Sequence, residues 1–159
     1  MDFSGDGTLQ DVTAIGLSFG AQYSQPGFYR PRVVVTAQDD QVCQAQISVV
    51  VRSGADVYAL AKGVLASLFD RLHAGDIDHA MNRVTATMGR ICRDSFNALS
   101  QAGTLATSAA QFGSVQRASL TRDYIELLVT RPSTGGSDAY WIHLLRGPDG
   151  IWRIESMYR

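Results

Sequence analysis

Between residues 57 and 72 the apolar side chains Val57, Leu60, Ala61, Val64, Leu65, Leu68, Phe69 and Leu72 recur at i, i+3, i+4 and i+7. From residue 113 onward they recur at every second position. The first period is one face of an α-helix and the second is one face of a β-strand. A chain that changes period in this way, with helical segments first and a run of strands after, buries both patterns by laying helices on one face of an antiparallel sheet. This predicts an α+β layer for the C-terminal two-thirds.

The same periods place the individual elements. Asp56 stands where an N-cap belongs, and Gly75 can take the left-handed conformation that ends a helix. Asp76 caps a second helical stretch whose apolar face is Ile77, Ala80, Met81, Val84, Met88 and Ile91, with Gly89 as the point of interruption. Residues 100–112, rich in Ala, Ser, Thr and Gly, read as loop or weak helix. Four strands are expected at 115–120, 124–130, 139–146 and 151–158. A flexible loop is expected at 132–137, and Pro148-Asp149-Gly150 makes a tight turn. Before residue 53 the composition is different. Residues 32–37 and 42–52 are β-branched runs around the polar turn 38–41, an antiparallel hairpin pattern. Pro31 marks an edge or a bulge, and Ser53-Gly54-Ala55 reads as a linker.

Hydrophobic residues make up 45% of the 159 and charged residues 18%, enough apolar material for a packed core. The formal net charge is −1, from 14 Lys+Arg against 15 Asp+Glu. With no basic stripe, nucleic acid is not an expected partner. Lys62 is the only lysine, a bias read here as a coding effect. No apolar run is long enough to span a bilayer. The first residues lack the basic and apolar regions of a signal peptide. Cys43 and Cys92 match no metal spacing and are expected as unpaired, buried thiols, with a disulfide as the alternative.

Two resemblances follow. Asp2-Phe3-Ser4-Gly5-Asp6-Gly7-Thr8, then Tyr23-Ser24-Gln25-Pro26-Gly27-Phe28-Tyr29, then Val33-Val34-Val35-Thr36-Ala37-Gln38-Asp39-Asp40 resemble, in order and spacing, the polycystic kidney disease (PKD) domain. That family is a small immunoglobulin-like β-sandwich. The resemblance implies a module over 1–53, N-terminally truncated because the family's first strands precede this point, with Tyr23 and Tyr29 filling its core. The helix, Gly75-Asp76 break and second helix, followed by Tyr140-Trp141-Ile142-His143-Leu144-Leu145-Arg146 and Asp149-Gly150-Ile151-Trp152-Arg153-Ile154, resemble a nuclear transport factor 2-like domain over 57–159. That superfamily is a cystatin-like cone in which helices pack on a curved antiparallel sheet, and it includes enzymes, ligand carriers and scaffolds. The expected fold class is therefore a β-sandwich fragment plus an α+β cone.

Three groups of residues carry site hypotheses. Asp2, Ser4 and Asp6 alternate as oxygen donors do in calcium loops. The plain reading is a turn held by Asp and Gly, because position 13 is Thr13 where an EF-hand loop carries Glu. Calcium is the one cofactor this pattern would accept. Asp76, Asp78, His73 and His79 gather at a helix break, where acid–base work is weighed against capping and solvated helix ends. Glu126, Trp141 and His143 are the expected ligand-binding residues. Trp141, His143 and Leu145 share a strand face, as do Tyr124, Glu126 and Leu128, and as Trp152, Ile154, Ser156 and Tyr158 are expected to. Nucleophile elbows, phosphate loops and HExxH motifs are missing from the sequence.

The expected function is a non-catalytic binding or spacer region of a bacterial extracellular or cell-envelope multidomain protein. Its partner would be a protein or a carbohydrate. A homodimer through the cone sheet is a further expectation, with Tyr140, Trp141 and Trp152 on a solvent-facing sheet. The alternative is a small-molecule-binding cone, or a degenerate isomerase- or dehydratase-type enzyme with an acid and a histidine in its pocket.

Overall fold

A computed structural model of the chain describes residues 1–10 and 20–159; Thr13 lies outside them. The protein is mixed α/β with antiparallel sheets, and its chain divides into two compact units, Met1–Ser53 and Gly54–Arg159.

In the first unit, β1 (Gly27–Tyr29) pairs with β4 (Val49–Val51), and β2 (Arg32–Thr36) pairs with β3 (Val42–Gln46), both antiparallel. The expected single strand over 42–52 is broken at Ile47-Ser48, opposite Arg30-Pro31. Proline has no N–H to give to a ladder, so one bond of the pair is lost there, while Ile47 N–H still donates to the Pro31 carbonyl at 3.2 Å. Regular pairing resumes beyond in the same register, Tyr29 opposite Val49 and Arg32 opposite Gln46. The described strands are thus one long hairpin interrupted at Pro31. At its turn Asp40 is left-handed, with φ 60°. On the other edge of β2, Asp2 and Arg32 exchange two backbone hydrogen bonds, of 2.8 and 2.7 Å. Tyr23 and Tyr29 stack on each other with ring centroids 4.1 Å apart but stay half-buried. Among the described residues of this unit only Asp2 is buried.

The second unit begins with α1 (Gly54–His73). The helix starts two residues before Asp56, which lies inside its first turn, where its charge suits the helix dipole. Ala61, Leu65, Leu68 and Leu72 are its buried stripe, while Leu60, expected on that stripe, is 40% exposed. The helix ends as predicted at Gly75. With φ 75° there, Asp76 N–H reaches back to the Arg71 carbonyl at 2.8 Å and Gly75 N–H to Leu72 at 3.1 Å. Asp76 then caps α2 (Ile77–Ala80).

The second helical stretch breaks five residues before Gly89. After α2 and a 3-10 turn at Met81–Arg83, Val84 becomes extended, bridges to Ile154 and buries its side chain. Thr85 N–H donates to the Ile154 carbonyl at 2.9 Å, so an edge-strand contact replaces a helical turn. Thr85 caps α3 (Ala86–Gln101) through its hydroxyl, which accepts from Met88 N–H. The new helix has its own phase, and Ile91, expected inside, is 68% exposed. A short α4 (Leu105–Ala110) buries Leu105 and Ala109.

Four antiparallel strands follow as a meander: β5 (Val115–Leu120), β6 (Tyr124–Ser133), β7 (Gly136–Arg146) and β8 (Trp152–Tyr158). The expected loop 132–137 is shorter, because Pro132 and Ser137 still pair. Pro132 lies past Val129, where the β5 ladder ends, so its missing N–H deprives no neighbour. The inner face carries Ile125, Leu127, Val129, Ile142, Leu144 and Ile154, all 0% exposed, under the helices.

A β-bulge changes the last strand. Leu144 opposes Ile154 but His143 opposes Ser156, leaving Glu155 as the extra residue. The strand therefore switches face at 155. Trp152 and Ile154 point inward, while Ser156 and Tyr158 join the outer face with His143. The expectation that these four share a face is corrected by this insertion. Trp152 is 8% exposed, so it is not on a solvent-facing sheet. Tyr140 sits opposite Val129 and packs edge-on against Phe112, on the helix side.

Candidate functional site

The outer face of the β6–β8 sheet is built from rows that run across the strands. Residues directly opposed in an antiparallel ladder share a face. One row is Ser119, Glu126, His143 and Ser156; the next is Gln116, Leu128, Trp141 and Tyr158. On the other side of the polar row Tyr124 opposes Leu145. A polar row is thus flanked by apolar and aromatic side chains.

Glu126, His143 and Ser156 of the polar row are joined by hydrogen bonds. His143 Nε2 lies 2.8 Å from Glu126 Oε1, and the Tyr158 hydroxyl lies 3.0 Å from the same nitrogen. Ser156 Oγ lies 3.0 Å from His143 Nδ1. Tyr124 O–H donates to Glu126 Oε1 at 3.3 Å. A neutral tautomer accepts the Ser156 O–H at Nδ1 and donates Nε2–H to Glu126, with the Tyr158 hydroxyl oxygen as a second acceptor of the same N–H. The His143 ring also meets the Tyr158 ring edge-on at 5.0 Å and the tilted Tyr124 ring at 5.2 Å. The His143 and Glu126 side chains are 20% and 23% exposed, so they are shielded but reachable. Burial, then the neighbouring Glu126 carboxylate, pushes the Tyr124 phenol up, which keeps it a hydrogen-bond donor.

The structure thus brings Glu126 and His143 into contact and places Trp141 in the adjacent row. Tyr124, Ser156 and Tyr158, absent from the expected ligand-binding set, complete the network. Only the Glu155 bulge brings Ser156 and Tyr158 to it, and no periodicity in the sequence announces that bulge.

The other candidate residues are engaged locally. Asp2 Oδ1 accepts from Gly5 N–H at 2.6 Å and Ser4 O–H at 3.2 Å, and Oδ2 accepts from Gly7 N–H at 2.9 Å. Burial opposes the Asp2 charge, but these donors outweigh it and hold the carboxyl below its ordinary value. Asp6 accepts from Thr8 N–H at 2.8 Å, which lowers it too. Gly5 is needed at this turn: its φ is 81°, and a Cβ there would come within 2.9 Å of the Arg30 carbonyl. The oxygens a calcium ion would take from Asp2 already face N–H and O–H groups.

At the helix break, Asp76 bonds His79 Nδ1 and Arg71, each at 2.8 Å, and is lowered chiefly by His79. Asp78 pairs with Arg93 at 2.5 Å, and His73 Nδ1 meets the Ala106 carbonyl at 3.2 Å. These are capping and ion-pair contacts at exposed helix ends. Both cysteines are free thiols. Cys43 is exposed, contrary to expectation, as is every residue of β3; Cys92 is buried, which raises its thiol.

Hollows lie elsewhere among the described residues. An apolar trough of about 520 Å³ in the first unit is walled by Phe3, Tyr23, Val33 and Ile47. In the second unit one of about 350 Å³ lies beside Arg90 and Arg93, and one of about 570 Å³ lies between Arg131 and Arg159. No helix among the described residues is long and apolar enough to cross a membrane. Comparison with family models, with curated proteins and with solved structures finds no match to this chain.

Proposed function

We propose that the chain is a non-catalytic binding region of a bacterial extracellular or cell-envelope multidomain protein, and that the outer face of its four-stranded sheet is the binding surface. One observation carries the reading. The space between helices and sheet is filled by side chains with no exposure, including Leu127, Ile142, Leu144 and Ile154. The polar and aromatic groups gather instead on the open side. A pocket enzyme or ligand carrier needs a concave, accessible interior lined by a few convergent polar groups. We assign the first unit as a PKD-type sandwich fragment and the second as a nuclear transport factor 2-like cone, on the sequence resemblances given above. The extracellular setting rests on the first of them.

A second reading has one observation in its favour. The Ser156–His143–Glu126 chain has the connectivity of an acid–base relay. It stands on an open sheet face, where water competes for every group, and the binding reading is preferred.

Solvent mapping tests this. The labelled protein is titrated with phenol and isopropanol and followed by amide and indole resonances. Saturable shifts gathering at Glu126, Trp141, His143 and Tyr158 are the expected result. Shifts gathering at Leu127, Ile142 and Leu144 instead would overturn the reading in favour of an internal ligand cavity.

A further inference from the structure

We infer, resting on the reading of the outer face as a binding surface, that its ligand is a neutral saccharide chain. Pyranose rings stack on Trp141 and Tyr158, and their hydroxyls are held by Glu126, His143 and Ser156. The argument starts from the rows. Trp141 and Tyr158 are directly opposed on adjacent strands, whose backbones run about 4.8 Å apart. The Tyr158 ring leans over the polar row, edge-on to His143 at 5.0 Å. That row lies two residues away along each strand, roughly 6.8 Å, so a ring seated against Trp141 and Tyr158 presents its edge to the polar row. A ligand that matches both has one flat C–H face and a hydroxylated rim. A pyranose has both.

Charge narrows the class further. Glu126 accepts from a neutral His143, and near the β7–β8 turn Asp149 pairs with Arg153 at 2.7 Å. The carboxylate in the polar row repels a nucleic acid or another polyanion. The hydrogen bonds given above also fix the acceptors in place before a ligand arrives, which lowers the ordering cost of binding. Both bonds described for Glu126 fall on Oε1, so Oε2 is offered to a sugar hydroxyl.

The test uses the whole chain, labelled, with cellohexaose, chitohexaose, xylohexaose and mannohexaose as probes. The two tryptophans give an internal control, since Trp152 is buried on the other face. The expected result is a saturable shift of the Trp141 indole and the Glu126 and Ser156 amides by one of these sugars, with the Trp152 indole still. Trp141→Ala is expected to weaken binding at least about tenfold. Trp141→Phe, which keeps a ring, serves if the alanine variant does not fold and should lose less. Glu126→Gln should weaken binding with an unchanged melting temperature. No shift with any sugar, while phenol still gathers on the face, overturns the saccharide but leaves the binding surface standing. If neither sugar nor phenol touches the face, both readings fall. A concentration-dependent dimer in sedimentation, with the face amides protected, would give the face to a second copy and also overturn the inference.

Discussion

Asp149 shows how far one exposed side chain can be fixed by its neighbours. Arg153, then the Ile151 amide, hold its carboxyl at about 2, well below the ordinary carboxylate range. A carboxyl depressed on folding adds stability that is present above its unfolded value and is lost as pH falls through its folded one. Asp149→Asn should therefore lower the denaturant midpoint at neutral pH, and the gap from the parent should narrow between about pH 4 and pH 2. A gap that is the same at pH 6 and pH 2.5 would show that the ion pair is not its source. Burial gives a sharper contrast. Leu65 is 1% exposed and Ile91 68%. Leu65→Ala should cost roughly 2–5 kcal/mol, and Ile91→Ala within about 0.5 kcal/mol of nothing, both measured by denaturant unfolding. The sequence ranked the two alike, because a helical stripe drawn through a break assigns phase to residues beyond it that belong to another helix.

Elements were legible where the pattern was long and its ends carried turn chemistry. The helix ending at His73 and the strand 115–120 follow from period and from Gly75. Two events were hidden because each depends on a distant partner. Val84 leaves the helix to meet Ile154, and Glu155 is squeezed out of the β7–β8 ladder. The candidate site was legible to the same degree. Alternation puts Trp141 and His143 on one face of their strand and Tyr124 and Glu126 on one face of theirs, but only the register of the ladder joins the two, and the same alternation puts Ser156 and Tyr158 on the wrong face. Deleting Glu155 tests its place as the extra residue. The ladder should become regular with Ser156 still opposite His143 and Tyr158 still opposite Trp141, so the cross-strand ring contacts should persist in the spectrum of the variant. Loss of those contacts would show that Glu155 is not the residue the ladder leaves out. The start of α3 has a simpler test: Thr85→Ala removes the cap on Met88 N–H and should cost about 1 kcal/mol, read from the melting temperature.

At the scale of the whole chain the two units differ in what holds them. The second has a contiguous core from Ala61 to Ile154. The first, among its described residues, buries Asp2 and exposes Phe28, Val35, Val42, Ile47 and Val50. Two-stranded pairings with little cover are marginal in water. Amides of β2 and β3 should therefore exchange with deuterium well before those of β6 and β7, and a protease should cut within the first unit first. Equal protection in both would overturn this. The imbalance has a calorimetric consequence. Heat capacity of unfolding rises with newly wetted apolar surface and falls with polar surface. The described residues of the first unit have little apolar surface left to wet, so its melting should pass with almost no step in heat capacity. The curvature of the stability profile with temperature, and any tendency to unfold in the cold, would then belong to the helix-and-sheet unit alone.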